Sequence, residues 1–164
     1  MAASIVEKTL YDGLITLSDG TGTPVTLVVP FSIGNLKVSG LSQTLREVLK
    51  FEARGVLTSV RLGKRRYPTG SFSFQVADYS DATNQTVIDF LLKTGSYSAN
   101  ISTLGSAADV YAVTIKLTVE GTDRGDSADH TVTMTNCVCT LDVEEGEPNM
   151  GSVSFEILGA VTFT

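Results

Sequence analysis

A chain of 164 residues, 42% hydrophobic and 18% charged, rich in Thr, Val, Ser and Gly and without Trp, has room for one buried core, so a single domain over 1–164 is expected and disorder is not. Its net charge of −6 argues against a protein that grips phosphate backbones over a broad surface. No apolar run reaches the roughly 18 residues of a membrane helix, and the start of the chain, with Glu7 and Lys8, lacks the apolar stretch of a secretory leader, so neither a membrane anchor nor secretion is expected.

Taken in chain order, period-two alternation of apolar and polar residues dominates, the pattern of half-buried strands. Strands are expected at 10–17, 25–29 and 33–38, with a hairpin loop at Asp19-Gly20-Thr21-Gly22. Strands at 48–53 and 56–62 follow, and Gly63-Lys64 is expected at the tip of a long β-hairpin (about 54–74) whose return strand Pro68 and Gly70 break near its base. That strand sets Phe72, Phe74 and Val76 against Ser71, Ser73 and Gln75. One α-helix (about 82–94) comes next, with Ser80 or Asp81 as cap and Gly95 as its end. Its Val87, Ile88, Phe90, Leu91 and Leu92 form an apolar surface suited to packing between sheets or between subunits.

Tyr111, Val113, Ile115, Leu117 and Val119 then alternate with Ala112, Thr114, Lys116, Thr118 and Glu120, and strands at 130–143 and 153–163 complete the chain. No low-complexity tract or internal repeat appears. The fold class is mainly β, an antiparallel sandwich or barrel with one flanking helix.

Charge is segregated. Arg54, Arg61, Lys64, Arg65 and Arg66 form a basic block, while eight of the eighteen acids lie between Glu120 and Glu147 against Arg124 alone. Each block by itself reads as a solvated loop, but opposed blocks on one small domain favour head-to-tail self-association.

Chemistry-bearing motifs are sparse. Cys137 and Cys139 are two apart on a strand, a poor geometry for a disulfide, and with His130 as the sole histidine a zinc site is not expected; they read as small buried apolar residues in a reducing compartment. Arg124-Gly125-Asp126 reads as a polar turn rather than an adhesion motif. Ser127, Asp129 and His130 lack the oxyanion-forming glycine elbow of a hydrolase, and Glu144 with Glu145 reads as a solvated turn rather than a glycosidase dyad or calcium site. No phosphate-binding glycine loop or aromatic stacking platform is present, so neither enzyme activity nor a cofactor is expected.

Three stretches carry a resemblance. They are Arg54-Gly55 leading through a hairpin into Pro68-Thr-Gly-Ser-Phe-Ser-Phe74; the helix Thr86-Val-Ile-Asp-Phe-Leu-Leu-Lys-Thr-Gly95; and Glu144-Glu-Gly-Glu-Pro-Asn-Met-Gly-Ser-Val-Ser-Phe155 with Gly159 before the last apolar residues. Together they resemble the major tail tube proteins of long-tailed bacteriophages. The resemblance implies a structural virion protein: a β-sandwich with a flanking helix that forms homohexameric rings, each subunit giving four strands to a closed 24-stranded barrel, and rings that stack into the tail tube through which DNA passes without specific binding. It also implies tape measure, tail terminator and distal tail or baseplate proteins as partners. On that reading Arg54, Arg61, Lys64, Arg65 and Arg66 of the hairpin meet Asp142, Glu144, Glu145 and Glu147 of the next ring, and the helix packs between subunits. Ser71, Ser73, Gln75, Thr114, Thr118 and Glu120 either line the lumen or face solvent on the tube exterior. The rival reading is a β-sandwich binding module or virion decoration domain.

Overall fold

A computed structural model of the chain describes residues 13–41, 46–77, 86–121 and 127–164. Its strands are β1 (Gly13–Ser18), β2 (Thr26–Val28), β3 (Lys37–Ser39), β4 (Arg46–Ala53), β5 (Val56–Arg65), β6 (Thr69–Gln75), β7 (Val113–Val119), β8 (His130–Glu144), β9 (Met150–Ile157) and β10 (Val161–Phe163). One helix, α1 (Val87–Leu92), and a 3-10 turn at Gly95–Tyr97 lie between β6 and β7. Among the described residues, β4 and β5 pair only with each other; the rest form one antiparallel sheet in the order β2-β1-β7-β8-β9-β6-β3, with β10 also against β8. The mainly β, antiparallel fold expected from the alternation is the one observed.

The long strand β8 turns this sheet into two layers. Its first half pairs with β7 on one edge and β10 on the other, and its second half pairs with β9, from Cys137↔Ile157 to Glu144↔Met150. Between the halves Asn136 adopts a left-handed φ of 55°, and the register against β7 slips between Val113 and Ile115. The extra residue is a bulge, which bends the strand and returns both Met134 and Cys137 to the buried face. Ile15, Leu17, Ile115 and Leu117 from one layer and Phe72, Phe74, Val153, Phe155 and Ile157 from the other meet in a single buried cluster. The two ends of the sheet belong to consecutive strands. Between them Ser32 bridges Phe74, and the N–H groups of Ile33 and Gln75 donate to the carbonyls of Ser73 and Phe31.

A short sequence echo explains the β6–β9 ladder. Gly70-Ser-Phe-Ser-Phe74 lies antiparallel to Gly151-Ser-Val-Ser-Phe155, so Gly70 faces Phe155 and Gly151 faces Phe74. Each phenylalanine ring covers the opposing glycine: a Cβ at Gly70 would overlap the Phe155 ring and lie 2.7 Å from the Lys37 carbonyl oxygen. The serines between them point outward.

Several sequence expectations shift. The run 153–163, read as one strand, is cut into β9 and β10, because Thr135 of β8 occupies the space beside Gly159 and binds Ala160 through both its backbone and its hydroxyl. The described helix begins at Val87 with Thr86 as its cap; Ser80, Asp81 and residues 82–85 lie outside the described residues, as do 10–12 of the first expected strand. The Thr86 hydroxyl accepts from the Asp89 N–H at 3.0 Å and donates to the Asp89 carboxylate at 2.9 Å, and the Thr94 hydroxyl donates to the same carboxylate at 2.6 Å. This is how a buried acid is tolerated in the first turn.

Asp19 fastens the β1–β2 loop. Although only 3% exposed, it accepts from the Val25 N–H (2.7 Å), the Thr21 hydroxyl (2.9 Å) and the Ile101 N–H (3.2 Å). Burial pushes its pKa up, but these donors outweigh it and hold the carboxyl below its ordinary value of 3.8. A carboxylate shifted this way contributes stability that is complete above the unfolded-state pKa and is lost as pH falls through the folded-state pKa.

Two predictions follow from this packing. Asp19→Asn should cost about 1.5–3 kcal/mol at neutral pH, with the difference from wild type shrinking below about pH 4, as read from urea unfolding at both pH values. Gly70→Ala should cost about 1–3 kcal/mol in the same assay, whereas Ser152→Ala, outward on the partner strand, should stay within about 0.5 kcal/mol.

Candidate functional site

The strands β4 and β5 form an arm outside the two layers, from Arg46 to Arg65 with Arg66 at its base. Its tip is Arg54-Gly55, where φ values of 50° and 77° make the left-handed pair that a two-residue hairpin turn requires. This corrects the expected tip at Gly63-Lys64 and the expected span of 54–74: Gly63 and Lys64 continue β5, and the segment from Thr69 pairs with β9 and β3 instead. Of the basic block, Arg54 therefore sits at the tip, Arg61 midway, and Lys64, Arg65 and Arg66 at the base. Arg61 lies over the Phe51 ring, Arg65 over the Tyr67 ring, and Arg66 makes an exposed 3.9 Å ion pair with Glu47 of the same arm.

Apolar residues occupy both faces of the arm. The register sets Val48 beside Leu62 and Val60 beside Lys50 on one face, and Leu49 beside Arg61 and Phe51 beside Ser59 on the other. All five apolar side chains are exposed.

The acidic residues lie at the opposite end of the body. Asp142 and Glu144 close β8, and Glu145 and Glu147 stand in the exposed loop before β9. The arm leaves the sheet beside Thr69↔Glu156, and the acidic loop lies beyond Gln75↔Met150. Those rungs are about 20 Å apart at 3.3–3.4 Å per residue. From Arg46 to Arg66 the chain has seven basic and two acidic residues, a net +5; the remaining five basic and sixteen acidic residues give −11.

The residues expected to line a lumen do not share one surface. Ser71, Ser73 and Gln75 are on the outer side of the β8-β9-β6-β3 layer, whereas Thr114 and Thr118 are on the outer side of the β2-β1-β7 layer, with Glu120 just past its end. The first of these surfaces is small and hydroxylated: one row across it is Lys37, Ser71, Ser154 and Thr140, and the next is Ser73, Ser152 and Asp142. It forms an open concavity of about 530 Å³. The second carries Lys116 and the exposed Leu14 and Val28. Among the described residues, no strand pairs with the β7-side edge of β8 over 138–144. The exposed Phe31 and Ile33 flank Ser73 and Gln75 at the far border of the same layer.

In α1, Val87 and Phe90 are buried, with Phe90 edge-on to Tyr97 at 4.9 Å, and Ile88 and Leu91 pack partly on the core. Leu92 is exposed.

Burial pushes both cysteine thiols up to about 12, so they remain protonated and unreactive at neutral pH. Asp129 accepts from the Gly121 N–H at 3.1 Å and so ties together the two ends of the β7–β8 loop. Arg124-Gly125-Asp126 lies outside the described residues. Among the described residues, no group of three His, Cys, Asp or Glu could hold a metal ion, and no helix is long and apolar enough to cross a membrane.

Sequence reasoning missed the bare edge of β8 and the two-sided apolar arm. The arm did leave a signal: Val48-Leu49 and Phe51 on one strand, and Val60 and Leu62 across from them, put apolar residues at both parities among interspersed charges.

No protein-family profile and no curated protein matches the chain. Solved structures match along its whole length. A chain of the PVC sheath-tube complex of an extracellular contractile injection system in its extended state is similar over 98% of this chain and 93% of that one, with a TM-score of 0.57 and 9% identity. A chain of the anti-feeding prophage tube-terminating cap is similar over 100% and 95%, with a TM-score of 0.57 and 15% identity. A chain of the PVC sheath/tube terminator is similar over 100% and 97%, with a TM-score of 0.55 and 13% identity. The chain thus has the fold seen in tube and terminator assemblies of phage-like injection systems.

Because the arm pairs with no described strand of the body, replacing 46–65 by a short Gly-Ser linker should leave the body's cooperative unfolding within about 0.5 kcal/mol of wild type. Loss of that transition in calorimetry would show that the arm is part of the core.

Proposed function

We propose that this protein is a tail tube subunit, a non-enzymatic structural component whose homohexameric rings stack head to tail around a DNA-conducting lumen. The observation that carries the reading is the placement of a +5 arm at one end of the body and an acidic loop at the other, on a fold shared with injection-system tube assemblies. A contact between two different surfaces of one molecule propagates, into rings where the rotation closes and into a filament along the axis. A monomeric binding or decoration module gives no reason for such an arm.

Within a ring, the bare edge of β8 and the rim at Phe31 and Ile33 bound the same layer on opposite sides, so joining them between neighbours would continue a sheet of β8, β9, β6 and β3 around the ring. Four strands from each of six copies would then close the barrel, and closure removes the exposed edges that otherwise aggregate. This assigns the hydroxylated surface with Ser71, Ser73 and Gln75 to the lumen and places Thr114, Thr118 and Glu120 elsewhere. Apart from Lys37, Asp142 and Glu156, the side chains of that surface are small and neutral and give passing DNA few groups to grip, and six copies at −6 carry −36 per ring, which disfavours phosphate binding. Tape measure, terminator and distal tail or baseplate proteins are the partners such a tube needs at its centre and ends, and the assembled tail is its location.

Electron microscopy of the purified protein should show rings or tubes with a central hole; a monomer persisting at high concentration would rule the reading out. Reversing Lys64, Arg65 and Arg66 to Glu should leave the fold intact and shorten or abolish tubes, and adding Asp142→Lys, Glu144→Lys and Glu145→Lys should restore them. Normal tube length in the first variant at physiological salt would remove the charge contact from the stacking interface.

A further inference from the structure

We infer that the recess between the end of α1 and the loop before β7 is a binding site for a single sugar residue, a small uncharged ligand whose hydroxyls are matched by Lys93, Asn100, Ser106, Asp109 and Tyr111. The recess has a volume of about 200 Å³. It shares no residue with the arm, the acidic loop or the hydroxylated sheet surface, so its occupation is independent of the stacked-ring reading.

The walls of the recess are fixed before any ligand arrives. α1 ends at Lys93, whose left-handed backbone (φ 57°, ψ 48°) turns the chain and whose ammonium stands 5.4 Å from the centre of the Tyr111 ring. Ile101 is pinned on both sides, its N–H donating to the Asp19 carboxylate at 3.2 Å and its carbonyl accepting from the Gly20 N–H at 2.8 Å. The buried Ser102 hydroxyl donates to the Val110 carbonyl at 2.8 Å and accepts from the Ala112 N–H at 3.0 Å, which closes the loop on itself. A site built this way loses little freedom on binding.

The signal for a ligand is Asn100. It lines the recess although it is only 4% exposed. Among the described residues its side chain makes one hydrogen bond, 3.2 Å to the Tyr111 hydroxyl. That bond occupies one pole of the carboxamide, and the other pole has no partner among them. A buried amide left half-satisfied costs stability, so a group that completes it is favoured. Lys93 and Asp109 line the same space and are not joined by an ion pair. With one cation and one anion the lining is neutral, which matches neither a phosphate nor a bare cation. Its aliphatic members are Ile101 and Ala108, too little for a hydrophobic ligand. What fits is a compact neutral molecule rich in groups that both give and accept hydrogen bonds. Sugar hydroxyls do both: Asp109 and the free amide pole can bridge adjacent hydroxyls while Lys93 donates to another. Smaller than the roughly 300–1,000 Å³ of drug-sized pockets, the recess holds about a dozen non-hydrogen atoms, the size of one hexose. A single contact of this kind is weak, and repeated copies of it bind a polymer of equivalent sugars far more tightly.

An NMR titration of the isotope-labelled native chain with the methyl glycosides of glucose, galactose, mannose and N-acetylglucosamine tests this. At least one of them should shift the backbone amide signals of Lys93, Asn100, Asp109 and Tyr111 and saturate with a Kd on the order of 1 mM, as expected for so few atoms. Lys93→Gln and Asp109→Asn, both at exposed positions, should each weaken binding about tenfold without moving the unfolding transition. Lys116→Gln, on the outer surface of β7, should bind as wild type does. The absence of saturable shifts at those residues up to about 50 mM of all four glycosides, or undiminished binding by both recess variants, overturns the site. Saturation by free glycine or glutamate and not by any glycoside replaces the sugar with a zwitterion and overturns the ligand class.

Discussion

The body depends on one constraint: a single strand, β8, has to serve two sheets that cannot be coplanar. Its first half lies between β7 and β10 and its second half lies against β9, and only a local break in pleating lets its inward side chains stay inward on both sides of the corner. Asn136 provides the break by entering left-handed backbone space, which Asn tolerates better than most residues. Met134 and Cys137 flank it, both fully buried, so the corner is welded into the core rather than floating on the surface. The break at Gly159 answers the same bend from the neighbouring strand, because Thr135 fills the space a side chain there would need. The bend also frees an edge: β7 follows the first half of β8, and among the described residues no strand pairs with 138–144 on that side.

Relative magnitudes rank the contacts the arm can make. The exposed Arg66–Glu47 pair belongs to a class that contributes about 0–1 kcal/mol. Fully burying a single Val, Leu or Phe stabilises by about 1.5–3 kcal/mol, and the arm offers several on each face. In the stacking proposed above, adhesion would therefore come mainly from apolar contact, with the +5 against −11 asymmetry setting direction and partner choice. A long exposed apolar ribbon is a hazard in an isolated molecule. Lys50, Glu52, Arg54 and Arg61 are interspersed among its apolar positions, a pattern that counters self-adhesion.

What was legible in the sequence follows from where burial is one-sided. The alternation around Phe72 and Phe74 and from Val113 to Val119 located β6 and β7, because one face of each is packed and the other is not. The same rule failed at 153–163, where alternation runs on through a break imposed by a contact with Thr135, a residue on another strand. It also failed at the arm's tip. The left-handed pair Arg54-Gly55 lacks the Asn or Asp that usually announces such a turn, so the glycine at 63 drew the assignment instead. The charge blocks were visible in the sequence, but their placement at opposite ends of one ladder was not, since it depends on the register of β6 against β9.

That register also bears on why the outer surface of β6 and β9 is so plain. Gly70 and Gly151 each accept a phenylalanine ring from the strand opposite, which packs the inner face using aromatic bulk from only one partner at each rung. Side chains that alternate with these are Ser71, Ser73, Ser152 and Ser154, the smallest residues that still satisfy water at a sheet surface. A surface designed for binding would carry aromatic platforms or convergent charges. Apart from Lys37, Asp142 and Glu156, this surface of short hydroxyls backed by a tightly fitted core offers few groups for adhesion, which fits the lumen wall proposed above.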